Sequence, residues 1–222
     1  MNLKSIGILF FLLACVSASS AQTAYDREKI WEAEIGRFAE IDRKQTPPEG
    51  AILFVGSSSI RMWETLRRDF PRFKVINRGF GGAQFEDVNH FADRIVAPYK
   101  PKKIVLYAGE NDIDAKQTAE NVLEDFKTFI AFRDKNLPGT PVVFISLKPS
   151  ILRWAMWPEM KRANDLIKAE AKKHRKVEFV DLASKMLGAD GLPLPDIYLE
   201  DKLHLNSKGY EIWRENLLPF LK

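Results

Sequence analysis

The feature that most constrains this chain is a short apolar run that recurs along its length. Ala51-Ile52-Leu53-Phe54-Val55 is the first. A strand with one wet face would carry a polar residue at every second position, so an unbroken apolar run describes a strand buried on both faces. Lys74-Val75-Ile76-Asn77, Lys103-Ile104-Val105-Leu106-Tyr107, Val142-Val143-Phe144-Ile145-Ser146 and Val177-Glu178-Phe179-Val180-Asp181 read as four more strands. Helical stretches fall between and after them, at Gln84 to Ile95, Thr118 to Lys135, Glu159 to His174 and Ser207 to Phe220. In the second of these, Val122, Leu123, Phe126, Phe129 and Ile130 share one face. A further helix at about Tyr25 to Lys44 is ended by Pro47-Pro48-Glu49-Gly50. Strands alternating with helices predict an α/β fold, a parallel sheet covered on both faces. In such sheets ligands bind outside the carboxyl ends of the strands.

The chain's 222 residues suit one domain. Its formal net charge of +4 is spread, with Lys and Arg interleaved with Asp and Glu. Nucleic-acid binding needs basic residues gathered on one face, and no such partner is expected. The densest run, Lys172-Lys173-His174-Arg175-Lys176, reads as the solvated end of a helix, where the dipole favours cations. Residues 1–21 read as a signal peptide. Lys4 opens it, Ile6 to Val16 is an apolar run too short to span a bilayer, and Ser19-Ser20-Ala21 supplies small residues before a cleavage site. An alternative is a lipoprotein signal, because Leu12-Leu13-Ala14-Cys15 resembles a lipobox that would place a lipid anchor on Cys15. Either way the protein is expected to be exported. No later run is long enough for a membrane helix. Cys15 is the only cysteine, so the domain from residue 22 to 222 is expected to hold no disulfide, cysteine nucleophile or Cys-ligated zinc.

The chemistry is to be sought just after each strand. Gly56-Ser57-Ser58-Ser59 follows the first, Asn77-Arg78-Gly79-Phe80-Gly81-Gly82 the second and Gly109-Glu110-Asn111-Asp112 the third. Asp201-Lys202-Leu203-His204 stands before the last helix. A serine hydroxyl is a weak nucleophile and needs an adjacent base. Histidine is the usual base, and a carboxylate orients its imidazole. Of the three histidines, His90, His174 and His204, only the last has an acid at catalytic spacing. A tetrahedral intermediate needs preorganised N–H donors, which a glycine backbone and an asparagine amide can supply. Ile60 stands where a G-x-S-x-G elbow would have its second glycine, and no phosphate-binding loop or H-E-x-x-H pair occurs.

These blocks, in this order, resemble those of the SGNH, or GDSL-type, hydrolases. The stretch Leu205-Asn206-Ser207-Lys208-Gly209-Tyr210 is similar to the branch that includes the platelet-activating-factor acetylhydrolase catalytic subunits. The resemblance implies a flavodoxin-like three-layer α/β/α sandwich with a five-stranded parallel sheet, and a serine esterase that needs no cofactor and no metal. It implies Ser58 as nucleophile, His204 as base and Asp201 as its orienting acid. The Ser58 and Gly82 backbone N–H groups and the Asn111 amide would form the oxyanion hole. The family's Gly-Asp-Ser is here Gly56-Ser57-Ser58, which leaves Ser57 and Ser59 as rival nucleophiles. The expected substrate is a carbohydrate or lipid ester of a small or medium acyl group. A lysophospholipase or thioesterase acting on longer chains is the alternative, with Trp154 and Trp157 lining an acyl pocket. The missing aspartate at position 57 also admits a non-catalytic binding protein on the same fold.

Overall fold

The structure is a computed structural model and describes residues 27–222. The signal-peptide region and Cys15 lie outside the described residues. The chain divides into two compact units, one ending at Lys44 and one spanning Gln45–Lys222. Within the described residues the first is a single helix, α1, over residues 27–44.

The second unit holds the five expected strands: β1 (Ile52–Gly56), β2 (Val75–Gly79), β3 (Lys103–Tyr107), β4 (Val142–Ile145) and β5 (Val177–Val180). All pair in parallel, in the order β2-β1-β3-β4-β5. This is the doubly wound, flavodoxin-like order, and its direction of growth reverses between β1 and β3. Every residue of β1 and β3 is buried, as their apolar runs require, and at the start of β3 the buried Lys103 donates to the Lys222 carbonyl. At the edge, β5 exposes Glu178.

Helices cover both faces. On one lie α4 (Phe85–His90), α5 (Ala92–Ile95), α7 (Ala119–Asn136) and α8 (Trp157–Ala171). There Phe144 of β4 stacks on Phe85 at 6.1 Å and meets Phe126 edge-on at 5.4 Å. On the other face α2 (Ser58–Arg61), α3 (Leu66–Asp69) and α9 (Ser207–Leu217) are joined through Trp63, Phe70, Tyr210 and Trp213 over Ile52, Phe54, Val105 and Tyr107.

Three helical expectations are corrected in detail. The stretch from Gln84 to Ile95 breaks at Phe91, whose ring is buried edge-on against Phe80 at 6.2 Å. The stretch read as Glu159 to His174 starts at Trp157, because Pro158 is tolerated in a first turn, and stops at Ala171. That read as Ser207 to Phe220 passes after Leu217 into a 3₁₀ turn containing Pro219.

Candidate active site

The carboxyl ends of β1 and β3 meet at the point where the sheet order reverses. Gly56 ends β1 with φ +143°, a conformation that favours glycine, and the chain turns at once into α2. Ser58 is the first residue of this one-turn helix. Of the three adjacent serines, Ser57 and Ser59 are buried and Ser58 is half-buried. β2 packs directly against α2, for a Cβ on Gly79 would stand 2.3 Å from the Arg61 nitrogen. The Asn77 amide locks this contact, donating to the Ile60 carbonyl at 2.6 Å and accepting from the Gly79 N–H at 2.9 Å.

The segment before α9 brings the imidazole to that serine. Residues 198–205 form a tight loop closed by a bridge between Tyr198 and Leu205 and by Leu199 N–H donating to the His204 carbonyl. Lys202 takes φ +56° at its tip. Asp201 Oδ1 accepts from the Leu203 and His204 N–H groups at 3.0 and 2.9 Å. Its Oδ2 lies 2.6 Å from His204 Nδ1, and His204 Nε2 lies 2.9 Å from Ser58 Oγ. Partial burial works against the Asp201 charge, but the imidazole and the two backbone donors outweigh it and hold the carboxyl down at about 2. Asp201 is therefore ionised over the whole neutral range. A hydroxyl, an imidazole and a carboxylate in this order can pass a proton from the oxygen to the ring while the ring's tautomer stays fixed.

Gly82 lies in the loop after β2 with φ +76°. Asn111 lies in α6 (Glu110–Asp114), entered through Gly109 at φ +116°. One Asn111 Nδ2–H donates to the Ala83 carbonyl at 2.9 Å, which ties the loop after β2 to α6. Trp154 and Trp157 stack on each other at 6.1 Å and are half-buried. Trp157 lines a cavity of about 150 Å³ with Phe179, Asp181 and Leu187, and neither Ser58 nor His204 borders that cavity.

Four residues near the site had no role assigned from sequence: Asn77, Glu110, Lys148 and Arg153. Glu110 is 4% exposed and Lys148 1% exposed, and they pair at 3.1 Å. Burial opposes the Glu110 charge, but Lys148 and Arg153 hold its carboxyl below the usual range. Lys148 Nζ also donates to the Leu203 carbonyl at 2.8 Å, beside His204. Charged residues so placed read as surface in a sequence; the only signal was that Lys148 and Glu110 follow apolar strands directly.

Asp112 is buried and accepts from the Phe85 N–H at 2.9 and 3.0 Å, fixing the far end of the Gly82 loop. Burial first, with Asp125 and Asp87 adding to it, pushes its carboxyl up to about 7 against the Phe85 hydrogen bonds. The folded chain thus keeps a proton that the unfolded chain loses near pH 4. Its contribution to stability is full below about pH 4 and is lost as pH rises through about 7. Denaturant unfolding from pH 5 to 8 should therefore show the wild type losing stability relative to Asp112→Asn, by at most ~1.4 kcal/mol per pH unit. A difference that stays constant with pH would show that this carboxyl does not titrate there.

Comparisons with known proteins bear on the family and the fold. Residues 50–212 match the model of the GDSL-like Lipase/Acylhydrolase family. The chain is 28% identical over 182 residues to platelet-activating factor acetylhydrolase IB subunit alpha1 of Bos taurus, covering 76% of this chain and 73% of the relative. Among solved structures, a putative platelet activating factor from Streptococcus pneumonia superposes with a TM-score of 0.77 at 22% identity, covering 92% of this chain and 99% of that one. A GDSL-like lipase from Bacteroides thetaiotaomicron gives 0.72 at 21% identity, covering 85% and 97%. The structural likenesses carry the fold, and the family match, spanning both the serine block and the Asp-x-x-His block, carries the chemistry: this chain belongs to the GDSL-like lipase/acylhydrolase family and is a carboxylic ester hydrolase.

Proposed function

We propose that the protein is an exported serine esterase for small or medium acyl groups, with Ser58, His204 and Asp201 as its triad. The observation that carries this reading is the unbroken line from Ser58 Oγ through His204 to Asp201, at 2.9 and 2.6 Å. Ser58 Oγ attacks the acyl carbon as His204 Nε2 takes its proton. Asp201 steadies the imidazolium, which then protonates the leaving alcohol. Water, activated by the same imidazole, releases the acid and restores the hydroxyl. The Ser58 and Gly82 N–H groups and the second Nδ2–H of Asn111 hold the oxyanion. Nucleophile, base and donors all come from the chain, so the mechanism calls for no cofactor or metal.

A fluorophosphonate probe followed by peptide mapping tests the assignment. Modification at Ser58 is expected. Modification at Ser57 or Ser59 would move the nucleophile, and an unmodified protein would favour the non-catalytic alternative on this fold. Export rests on Lys4, the Ile6 to Val16 run and Ser19-Ser20-Ala21. The mass of the mature protein separates cleavage after Ala21 from a lipidated Cys15.

The small-acyl reading draws support from the bovine relative, whose name is that of an acetylhydrolase. The stacked, half-buried Trp154 and Trp157 favour a second reading, in which a longer chain lies against them. On a series of p-nitrophenyl esters, the first reading expects kcat/KM to fall from acetyl to octanoyl by roughly 10-fold or more, the scale on which a pocket discriminates by a few methylenes. A rise along the series would transfer the assignment to a lysophospholipase or thioesterase.

A further inference from the structure

The Asn111 carboxamide presents an oxygen and a nitrogen of nearly equal size, and only its hydrogen-bond partners decide which way it faces. Two partners decide it here. The Ala83 carbonyl accepts from Nδ2 at 2.9 Å, and Oδ1 accepts from Arg153 Nη1 at 3.0 Å. A flipped amide would set two oxygens against each other at Ala83 and two donors against each other at Arg153. Among the described residues the second Nδ2–H has no protein partner.

Arg153 is itself firmly held. Its side chain is 11% exposed. The same Nη1 donates to Glu110 Oε1 at 3.2 Å, and Nη2 donates to Asp114 Oδ2 at 2.9 Å. One guanidinium therefore grips the first, second and last residues of α6. Its backbone is fixed too: its N–H donates to Ser150 Oγ at 3.2 Å, and Leu152 N–H donates to the Lys202 carbonyl at 3.1 Å. A cation on Oδ1 also draws electron density from the amide, which strengthens Nδ2–H as a donor to negative charge.

Resting on the triad and oxyanion-hole reading above, we propose that Arg153, anchored by the buried Glu110, is a positioning residue that orients and polarises the Asn111 amide for the oxyanion. It touches neither the nucleophile nor the base. Replacing it leaves no buried carboxylate unpaired, because Glu110 keeps Lys148 at 3.1 Å and Asp114 is 44% exposed to water.

The test is a double-mutant cycle on a p-nitrophenyl ester, with kcat, KM and melting temperature measured for each protein. Asn111→Ala should lower kcat by roughly 10²–10³-fold, the usual cost of one oxyanion donor. Arg153→Gln should lower kcat by roughly 10–100-fold with KM within about 3-fold, as a slight misplacement of a donor does. In the Asn111→Ala background the same change should cost less than about 3-fold, since the amide it serves is gone. Arg153→Lys keeps the charge but not the forked reach, and should lose roughly 3–30-fold in kcat while melting near the wild type. An equal fold-loss in both backgrounds would make the role merely structural and overturn the proposal, as would an unchanged kcat in Arg153→Gln. Should Arg153→Gln fail to fold, Arg153→Lys in the two backgrounds decides by the same criterion. Failure of the underlying reading looks different: a wild type that neither hydrolyses the ester nor takes the fluorophosphonate at Ser58 removes the triad itself. An unaffected Asn111→Ala removes the oxyanion role, and Arg153's with it.

Discussion

Ser58→Ala lowers ester turnover by roughly 10³–10⁶-fold, the range seen when a triad nucleophile is deleted. The change removes one oxygen from a half-buried position whose side-chain partner is His204 Nε2. The Ser58 carbonyl still accepts from the Met62 N–H, so α2 keeps its end. The melting temperature should stay within a few degrees, and the loss should fall on kcat. Ser57→Ala and Ser59→Ala are the matched controls. The Ser57 hydroxyl makes no capping bond to its helix, and the Ser59 side chain is buried. Both are expected to keep activity within about 10-fold, because neither touches the imidazole. Wild-type turnover in Ser58→Ala would overturn the assignment, and collapse of activity in Ser57→Ala alone would reassign it.

The largest effect on stability is expected from Gly56→Ala. A Cβ at this position would stand 1.9 Å from the Tyr107 carbonyl oxygen and 2.7 Å from its carbon, at φ +143°. Neither side can yield. Gly56 is registered between Gly79 of β2 and Tyr107 of β3. Tyr107 meets Trp213 edge-on at 5.1 Å and its hydroxyl donates to Glu110 at 2.5 Å. Forced backbone strain plus overpacking should cost upward of ~4 kcal/mol, a large share of the ~5–15 kcal/mol that holds a domain. For a chain of this size that is a fall of ~8–16 °C in melting temperature, or failure to accumulate as folded protein. Gly50→Ala is the contrast, since Gly50 also has positive φ but nothing lies within 4 Å of its would-be Cβ. It should cost about 1 kcal/mol. A Gly56→Ala protein that melts beside the Gly50→Ala protein would mean that β1 and β3 are not so closely joined.

Much of the frame was legible because its signals are local and strong. Strands buried on both faces write themselves as unbroken apolar runs, and all five fall within two residues of their expected bounds. The strand-end rule then drew attention to the blocks after β1, β2 and β3, and the resemblance to the SGNH hydrolases singled out Ser58, Gly82 and Asn111 in them, with Asp201 and His204 before the last helix. The short helices α2, α3 and α6 escaped because four or five residues do not complete a second turn, so no periodicity exists to be read. The break at Phe91 escaped because a buried phenylalanine fits a helix pattern as well as it fits the bend that ends one. The Glu110, Lys148 and Arg153 cluster escaped for another reason. Its members are 38 and 43 residues apart, and a charged side chain announces a buried partner only when the fold has brought the two together.

The site is assembled from opposite ends of the second unit: the hydroxyl of Ser58 and the imidazole of His204 are separated by 146 positions. α9 follows that imidazole, and its Tyr210 donates back to the Ser59 carbonyl at 3.0 Å while Trp213 is sealed under it. Along the chain the serine comes long before its hydrogen-bonded imidazole. Until α9 closes on the sheet, Ser58 is a plain alcohol at the end of β1, without the imidazole that lies 2.9 Å from it in the folded unit. Reactivity of Ser58 toward a fluorophosphonate would then register the docking of the segment that carries His204 and α9, a chemical signal that this unit has closed.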